Sequence, residues 1–439
     1  MRSPLDPSAT QAPTKYRKAM SQFPWPGTEQ LTKAPGGPDW SHWTTRVLGH
    51  ADPTKIGHRA GTHRIISPDQ TWLAIQPLLE PAGITRVADL TWLDDLGIPT
   101  VQAVRPASLT LSVSQGKATT YRAAQVSAAM ESLENWHAEN IKPDLLSTAA
   151  KDLGSTLTYD PADLSRPPGS LYHPGAKLDW MVATTLLTGR RTWAPWASVV
   201  VNIAISDRWG PPMFSMDTTG LASGNSYHEA TLHALYEIME RHAMAIADPG
   251  STLFEVPLDD VAGSDCAELV EMIHRAGSEV QVARIDTWDG FYCFAAELTS
   301  PMVEVPFSGS GLHHDPNVAL SRAITEAAQS RLTAISGARE DLPAAIYQRF
   351  ARVHTYAPAQ RSMQSIPNAE PTPWHLECTD SLADLLTSAT TAITDRSGIE
   401  PLAVVCDFAD GCVPVVKAIA PGLKASIVSP MRTPLQDPA

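Results

Sequence analysis

The sequence predicts a protein that mixes long helices with strands around one large body, and three observations carry that reading. Residues 215–242, SMDTTGLASGNSYHEATLHALYEIMERH, open with a Gly-containing turn region and continue as an uninterrupted helical pattern. Within it Glu229, His233, Glu237 and Glu240 recur at steps of four, four and three and share a face, while Leu232, Leu235, Tyr236 and Met239 mark the other side. Two further stretches, 119–140 and 317–341, repeat the design with acids or amides at steps of three and four. Strand-like stretches such as EVQVARIDTW and FYCFAAELT stand next to one another, with WDGFY supplying the turn between them. With 439 residues and 43% hydrophobic content, the chain buries a large core, as one big domain with additions or as two domains.

The net charge of −14 argues against a surface for duplex nucleic acid. An acidic protein can still bind a polyanion such as ATP if metal ions stand between the two. The opening residues MRSPLDPSATQAP have no apolar core, which excludes a signal peptide, and no run approaches the length of a membrane span. Five scattered cysteines, Cys266, Cys293, Cys378, Cys406 and Cys412, form neither a disulfide framework nor a CxxC metal site, so a cytoplasmic protein is expected.

Taken in order, residues 1–60 read as an irregular N-terminal extension whose first dozen residues are mobile. Its Trp25, Trp40 and Trp43 either pin it to the body or help form a substrate groove. The body is expected over 61–424. Ser67 caps a first helix with Pro68 at its first position. TRVADLTWLDDLGIPTVQAVRP reads as strand, turn and strand, and SLTLSVSQGK alternates as a strand up to Gly116 and Lys117. In the helix that follows, Ser127, Glu131 and Glu134 share a face, while Ala124, Ala128 and Leu133 suit tight packing. Lys117, at the preceding turn, is in reach of a phosphate. Residues 139–210 hold strand candidates broken by prolines, including TWAPWASVVVNIA. After the organising helix, CAELVEMIHRAG is an amphipathic helix ended by glycine, and MVEVPFSGSGLHHDP carries a strand into a Gly-rich turn. The third charged helix presents Arg322, Glu326 and Gln329 on one face, with Arg331 nearby in a structural pairing with an acid or a role at the site. Residues 332–380 read as loop and extended chain, HLECTDSLADLLTSATTAI as a helix, and LAVVCDFA and VPVVKAIAP as late strands. A polar tail with Pro430, Pro434 and Pro438 occupies 425–439.

Each charged helix is, at its blandest, a solvated surface. Converging, the three would assemble carboxylate and amide oxygens that suit Mg²⁺ and guanidinium and ammonium groups that suit phosphate. That is what a nucleotide–magnesium site needs in a chain with no GxxxxGK[ST] loop and no kinase catalytic loop; GSG at 309–311 is no phosphate loop by itself.

Several ordered motifs resemble the YcaO family. They are SQGK leading to SAAMESLE at 114–134, TTGLASGNSYHEATLHALYEIMER at 218–241, GSGLHHDPNVALSRAITEAAQSR at 309–331, GARED at 337–341 and VVKAIAPGL at 415–423. The resemblance runs from about Gly61 to Leu423. It implies an α+β fold of mixed or antiparallel sheets, with long helices enclosing an ATP–magnesium site. It also implies an activity: ATP-dependent O-phosphorylation of a peptide backbone amide, which is then attacked by a nucleophile. A Cys, Ser or Thr side chain gives an azoline, an amine gives an amidine, and sulfide gives a thioamide. The implied substrate is a ribosomally made precursor peptide, with a separate leader-binding or sulfide-delivering partner where one is needed. Homodimerisation is an expectation carried by the resemblance alone.

By the same resemblance, Lys117, Ser127, Asn225, Glu229, Arg241, Arg322, Glu326 and Gln329 are expected to contact the nucleotide. Glu131, Glu134, Glu237 and Glu240 are expected to ligate Mg²⁺, and Glu237, Glu240, Arg241 and Arg322 to serve catalysis. Lys117, Arg241 and Arg322 would balance the charge on the transferred phosphoryl group. Asn135 stands where the family commonly has arginine, Lys424 where an acid is common, and the terminal prolines are wider apart than in many azoline-forming members. His233 is expected to pack or to act, His228 and His242 to lie on the surface, and His313 and His314 to border a turn near substrate. A ribosome-modification accessory and a non-catalytic peptide scaffold are the competing classes.

Overall fold

The computed structural model describes residues 51–431 apart from 53, 202–212, 263–265, 302, 343–346, 348–365, 368–378, 407–412, 427 and 429. The expectations for Trp25, Trp40, Trp43, Cys378, Cys412, Pro434 and Pro438 lie outside those residues.

In chain order the elements are α1 (Pro68–Ile75), β1 (Arg86–Asp89), β2 (Thr100–Val104), β3 (Val113–Lys117), α2 (Tyr121–Asn140), β4 (Leu146–Ala149), α3 (Ala150–Leu153), β5 (Lys177–Thr185), β6 (Arg191–Pro195), β7 (Leu221–Ser223), α4 (Tyr227–Ile246), β8 (Leu253–Val256), α5 (Leu258–Ala262), α6 (Ala267–Arg275), β9 (Glu279–Ile285), β10 (Tyr292–Ser300), β11 (Val303–His313), α7 (Pro316–Ser336), α8 (Leu382–Ser397), β12 (Leu402–Val405) and β13 (Val415–Ile419). Helix ends follow local chemistry. Ser67 Oγ accepts from the Gln70 amide in a capping box with Pro68 at the first turn. Asp315 caps α7 ahead of Pro316, and Gly337 closes that helix at φ 61°.

Among the described residues three sheets result, and every strand pairing within them is antiparallel. The first has the order β1-β2-β3, the second β11-β10-β9-β8, and the third β4-β5-β12-β13-β7 with β6 on β5. Helix α2 lies on β2 and β3 and reaches β7. Helix α4 lies on β7 and β13 with α8 beside it, and α7 lies on β10 and β11 and reaches β3. One apolar core joins the first and third sheets through α2, α4 and α8. A second fills the space between the four-stranded sheet, α6 and α7.

Two sequence expectations are corrected. The GSG of 309–311 is not a turn but the continuous end of β11. A Cβ on Gly309 would stand 2.3 Å from Ala323 O, and one on Gly311 2.3 Å from Ala319 O, so these glycines let α7 lie at backbone contact with the strand. The alternating SLTLSV stretch becomes a strand only from Val113. The chain before it folds over the buried Glu139 carboxylate, which accepts from Arg105 at 2.7 Å, Ser108 Oγ at 2.7 Å and Thr110 Oγ1 at 2.6 Å.

Candidate active site

Strand β3 delivers Lys117 at its last residue, and Gly116 before it sets how near α2 can come. A Cβ at Gly116 would meet Ala128 N at 2.1 Å and Ala124 O at 2.2 Å. The small residues that the sequence placed on α2 are therefore where strand and helix touch. One turn on from Ser127, which is half-buried, the same helix presents Glu131 and then Glu134.

The three charged helices converge. Lys117 Nζ on β3 binds Glu326 Oε2 on α7 at 2.7 Å. Glu134 on α2 accepts from the Ser223 amide at the end of β7 at 2.7 Å. On α4, Glu237 accepts from the Gly220 amide at 3.1 Å and stands 3.6 Å from Arg241. Glu240, almost fully buried, accepts from Ser310 Oγ at 2.7 Å and from the Leu312 amide at 3.1 Å, both on β11. Two guanidiniums act on the Glu326 carboxylate, those of Arg241 and Arg322.

The electrostatics are those of a site short of cations. Burial lifts the Glu131 carboxyl to about 7; Lys117 and Arg339 pull it down, while Glu237 and Glu326 push it up. Glu131 is open to solvent yet stands deep among protein atoms, as a residue lining a concavity does. Burial, then Glu131 and Glu237, drive Glu134 well above the usual carboxylate range. Glu237 is raised chiefly by burial, against Arg241. Glu326 alone among these acids is held low: burial opposes its charge, but Lys117, Arg241 and Arg322 outweigh it. A divalent cation among Glu131, Glu134 and Glu237 would reverse the first three shifts. Two buried polar atoms, Gln329 Oε1 and Arg241 Nε, have no partner in the protein, as expected of groups that face a ligand. The donor set thus fits hard-cation and phosphate chemistry.

Asn225 directly precedes Ser226, the cap of α4, and Glu229 lies in the first turn. Glu229 accepts from the Ile65 amide at 2.9 Å, the Asn225 amide at 3.1 Å and Asn225 Nδ2 at 3.0 Å, while Thr71 Oγ1 donates to Asn225 Oδ1 at 3.1 Å. Both residues therefore tie the segment around residues 64–71 to α4. That segment brings in Arg64, which the sequence reading left out of the site. Arg64 stands 3.7 Å from Glu229, contacts His233, and is close enough to Arg322 for mutual repulsion. Two further groups were missed. Arg339 of GARED faces Glu131 electrostatically. Lys417, buried on β13, donates to Asp217 O at 2.6 Å and Thr219 O at 2.8 Å, fixing the turn whose Gly220 amide holds Glu237. A charged residue inside the apolar run VVKAI was the available signal for Lys417. Arg331 lies outside the cluster, paired with Asp94 at 3.2 Å and Asp95 at 2.9 Å. His242 is buried rather than on the surface: its Nδ1 accepts from the Lys424 amide and its ring packs on Trp288. His228 is half-buried.

Among the described residues, no helix is long and apolar enough to cross a membrane. Residues 115–424 match the YcaO cyclodehydratase family, described as ATP- and Mg²⁺-binding. The chain is 73% identical over 401 residues to an uncharacterised protein of Mycobacterium tuberculosis, covering 91% of each. Its fold is similar to that of YcaO from Methanopyrus kandleri bound with AMPPCP and Mg²⁺, with TM-score 0.66 and 22% identity over 88% of this chain and 100% of that one. It is also similar to a heterocyclase in complex with substrate and cofactor, with TM-score 0.65 and 19% identity over 85% of this chain and 54% of that one. The match over 115–424 and the shared fold, with a site whose donor set suits ATP and Mg²⁺, place this chain in the YcaO family of ATP-dependent enzymes.

Proposed function

We propose that this enzyme O-phosphorylates a backbone amide of a ribosomally made peptide at the expense of ATP, and closes the activated amide to an azoline or a macrocyclic amidine with net loss of water. The observation that supports this most is the convergence of Glu131, Glu134 and Glu237 with Lys117, Arg241 and Arg322 from three helices and one strand end. When bound, ATP supplies the phosphoryl group and Mg²⁺ collects its charge. Glu131, Glu134 and Glu237 are the residues to hold the metal. Glu240 retains lone pairs beyond its two protein hydrogen bonds and stands behind them as a further ligand. Lys117, Arg241 and Arg322 neutralise phosphate oxygens. Ser127, Glu326 and Gln329 complete the nucleotide-facing set, and Asn225 and Glu229 support it by anchoring the segment that carries Arg64.

The test uses purified protein with ATP, Mg²⁺ and the small peptide encoded beside its gene, read by intact mass and nucleotide products. A loss of 18 Da per ADP formed supports dehydrative closure, and tandem fragmentation separates an azoline from an N-terminal amidine. A gain of 16 Da that requires added sulfide, as oxygen is replaced by sulfur, identifies thioamide formation instead. Neither a mass change nor ADP, with nucleotide binding intact, counts against self-sufficient amide activation.

A further inference from the structure

Four side chains from three separate parts of the chain form a file beside the acid cluster. Asp315 Oδ2 lies 3.2 Å from His63 Nε2, His63 Nδ1 lies 3.1 Å from His314 Nε2, and His314 Nδ1 lies 2.7 Å from Tyr236 Oη. His63, Asp315 and Tyr236 are buried and His314 is half-buried. The direction of the file follows from its end. Burial opposes charge on Asp315, but hydrogen bonds from His63 and the Asn317 amide keep it ionised. A carboxylate only accepts, so His63 Nε2 carries that ring's proton and His63 Nδ1 is an acceptor. His314 Nε2 then donates, His314 Nδ1 accepts, and the Tyr236 hydroxyl donates. With His63 neutral, this single assignment satisfies all three bonds.

His63, His313 and His314 also stand close enough together to suggest a metal site. Their geometry opposes it. His313 Nδ1 accepts from the Asp315 amide at 3.0 Å, which leaves the proton on its Nε2. The His313 and His314 rings stack at 4.2 Å and 30°, so their in-plane lone pairs do not converge. The 3.1 Å between His63 and His314 nitrogens is a hydrogen-bond distance. Two imidazole ligands of a tetrahedral zinc would hold their nitrogens about 3.3 Å apart with the metal between them.

We propose that Asp315, His63, His314 and Tyr236 form a relay that accepts the proton of the nucleophile adding to the activated amide; this rests on the reaction proposed above. The bond between hydrogen and the nucleophilic atom breaks as that atom bonds to the amide carbon, and the proton passes to Tyr236 Oη. The hydroxyl hydrogen of Tyr236 moves to His314 Nδ1, and the Nε2 hydrogen of His314 moves to His63 Nδ1. Tyr236 and His314 end neutral, and the single positive charge rests on His63 against the Asp315 carboxylate. Reverse passage returns the proton to water after product leaves. The relay adjoins the site: Tyr236 stands one helical turn before Glu240 on α4, Glu240 holds the Leu312 amide next to His313, and the His313 ring lies 5.1 Å from that of Tyr236. The charged and titratable groups facing His63 are Asp315, His313, His314 and Arg59, whose Nη1 lies 3.4 Å from His63 Nε2 while its Nη2 is bound to Asp380. Around His313 they are His63, His314, His233 and Arg322.

The first test needs no substrate. A long-range proton–nitrogen-15 spectrum of the full chain labelled at histidine is expected to show His63 and His314 both as Nε2–H tautomers. His314 in the Nδ1–H form overturns the direction of the relay, and one equivalent of zinc carried through purification overturns it in favour of a metal site. The second test measures peptide turnover with ATP for wild type, Y236F and H63N. The expected result is a loss of about 100-fold in kcat at unchanged KM for ATP, with a curved solvent-isotope proton inventory in wild type that becomes linear in Y236F. Wild-type turnover with Y236F and H63N at full kcat refutes the relay and leaves amide activation standing. No ADP and no product from wild type counts against amide activation instead, while the tautomer spectrum still decides whether the relay exists.

Discussion

Replacing Gly116 by alanine adds one methyl group where strand and helix already touch. The new Cβ would stand 2.1 Å from Ala128 N and 2.2 Å from Ala124 O, both backbone atoms of α2. Ordinary contact begins at 3.4 Å, so α2 must retreat by about 1.3 Å or β3 must bend away. No rotamer change relieves this, because the obstructing atoms belong to a hydrogen-bonded helix. Overpacking of this kind costs about 1–3 kcal/mol. The same movement carries Glu131 and Glu134 away from Lys117 and Glu237, so ATP–Mg²⁺ affinity is expected to fall about 10-fold. Urea unfolding reads the first effect and titration calorimetry the second. A G116A protein with wild-type midpoint and wild-type affinity refutes the reasoning. Lost stability with unchanged affinity would show that the seat of α2 on β3 does not set the position of its acids.

Four other outcomes are expected. K117M removes the nearest cation from Glu326 and should weaken ATP binding by about 10- to 100-fold, worth about 1.5–3 kcal/mol, with little effect on stability; full affinity in calorimetry counts against the phosphate role. Because Glu131 is lifted to about 7, Mg²⁺ and protons compete for it, so Mg²⁺ affinity should rise about 10-fold between about pH 6 and 8 and E131Q should flatten that slope. The sign for stability runs the other way. A carboxyl raised on folding favours the protonated folded state, so the metal-free protein should lose stability as pH climbs from the ordinary carboxylate range through 7, and Mg²⁺ should restore it. R331M strands Asp94, whose carboxyl burial already raises, and should cost about 3–5 kcal/mol in denaturant, much of it recovered in R331M/D94N; equal stabilities of the single and double variants would contradict the pairing.

The elements legible in the sequence were those whose periodicity is long. Helices α2, α4 and α7 are 20, 20 and 21 residues long and carry acids or amides at steps of three and four on one face, and strands β9 and β10 sit on either side of a visible turn. The GSG of β11 was misread because glycine has two uses, to bend a chain or to let another backbone approach. Only the partner helix, which follows later in the chain, decides between them. The acids of the site were visible for the same periodic reason, whereas Arg64, Arg339 and Lys417 come from short segments with no period of their own. Their positions depend on contacts across more than 100 residues, such as Lys417 with Asp217. Glu229 shows the limit of reading a face: it shares the stripe of Glu237, yet both its oxygens are taken by main-chain and amide donors.

The bond from the Ile65 amide to Glu229 has a consequence for how this protein can be divided. The family likeness covers residues 115–424, but β3 at its start pairs with β2 at 100–104, and the first turn of α4 is closed by residues 65 and 71. A fragment trimmed to the matching region would lose two strands of a three-stranded sheet and leave a buried carboxylate oxygen without its donor. Expression boundaries for this chain therefore belong upstream of Ile56, which is already packed in the core and bonded to Asp380 O.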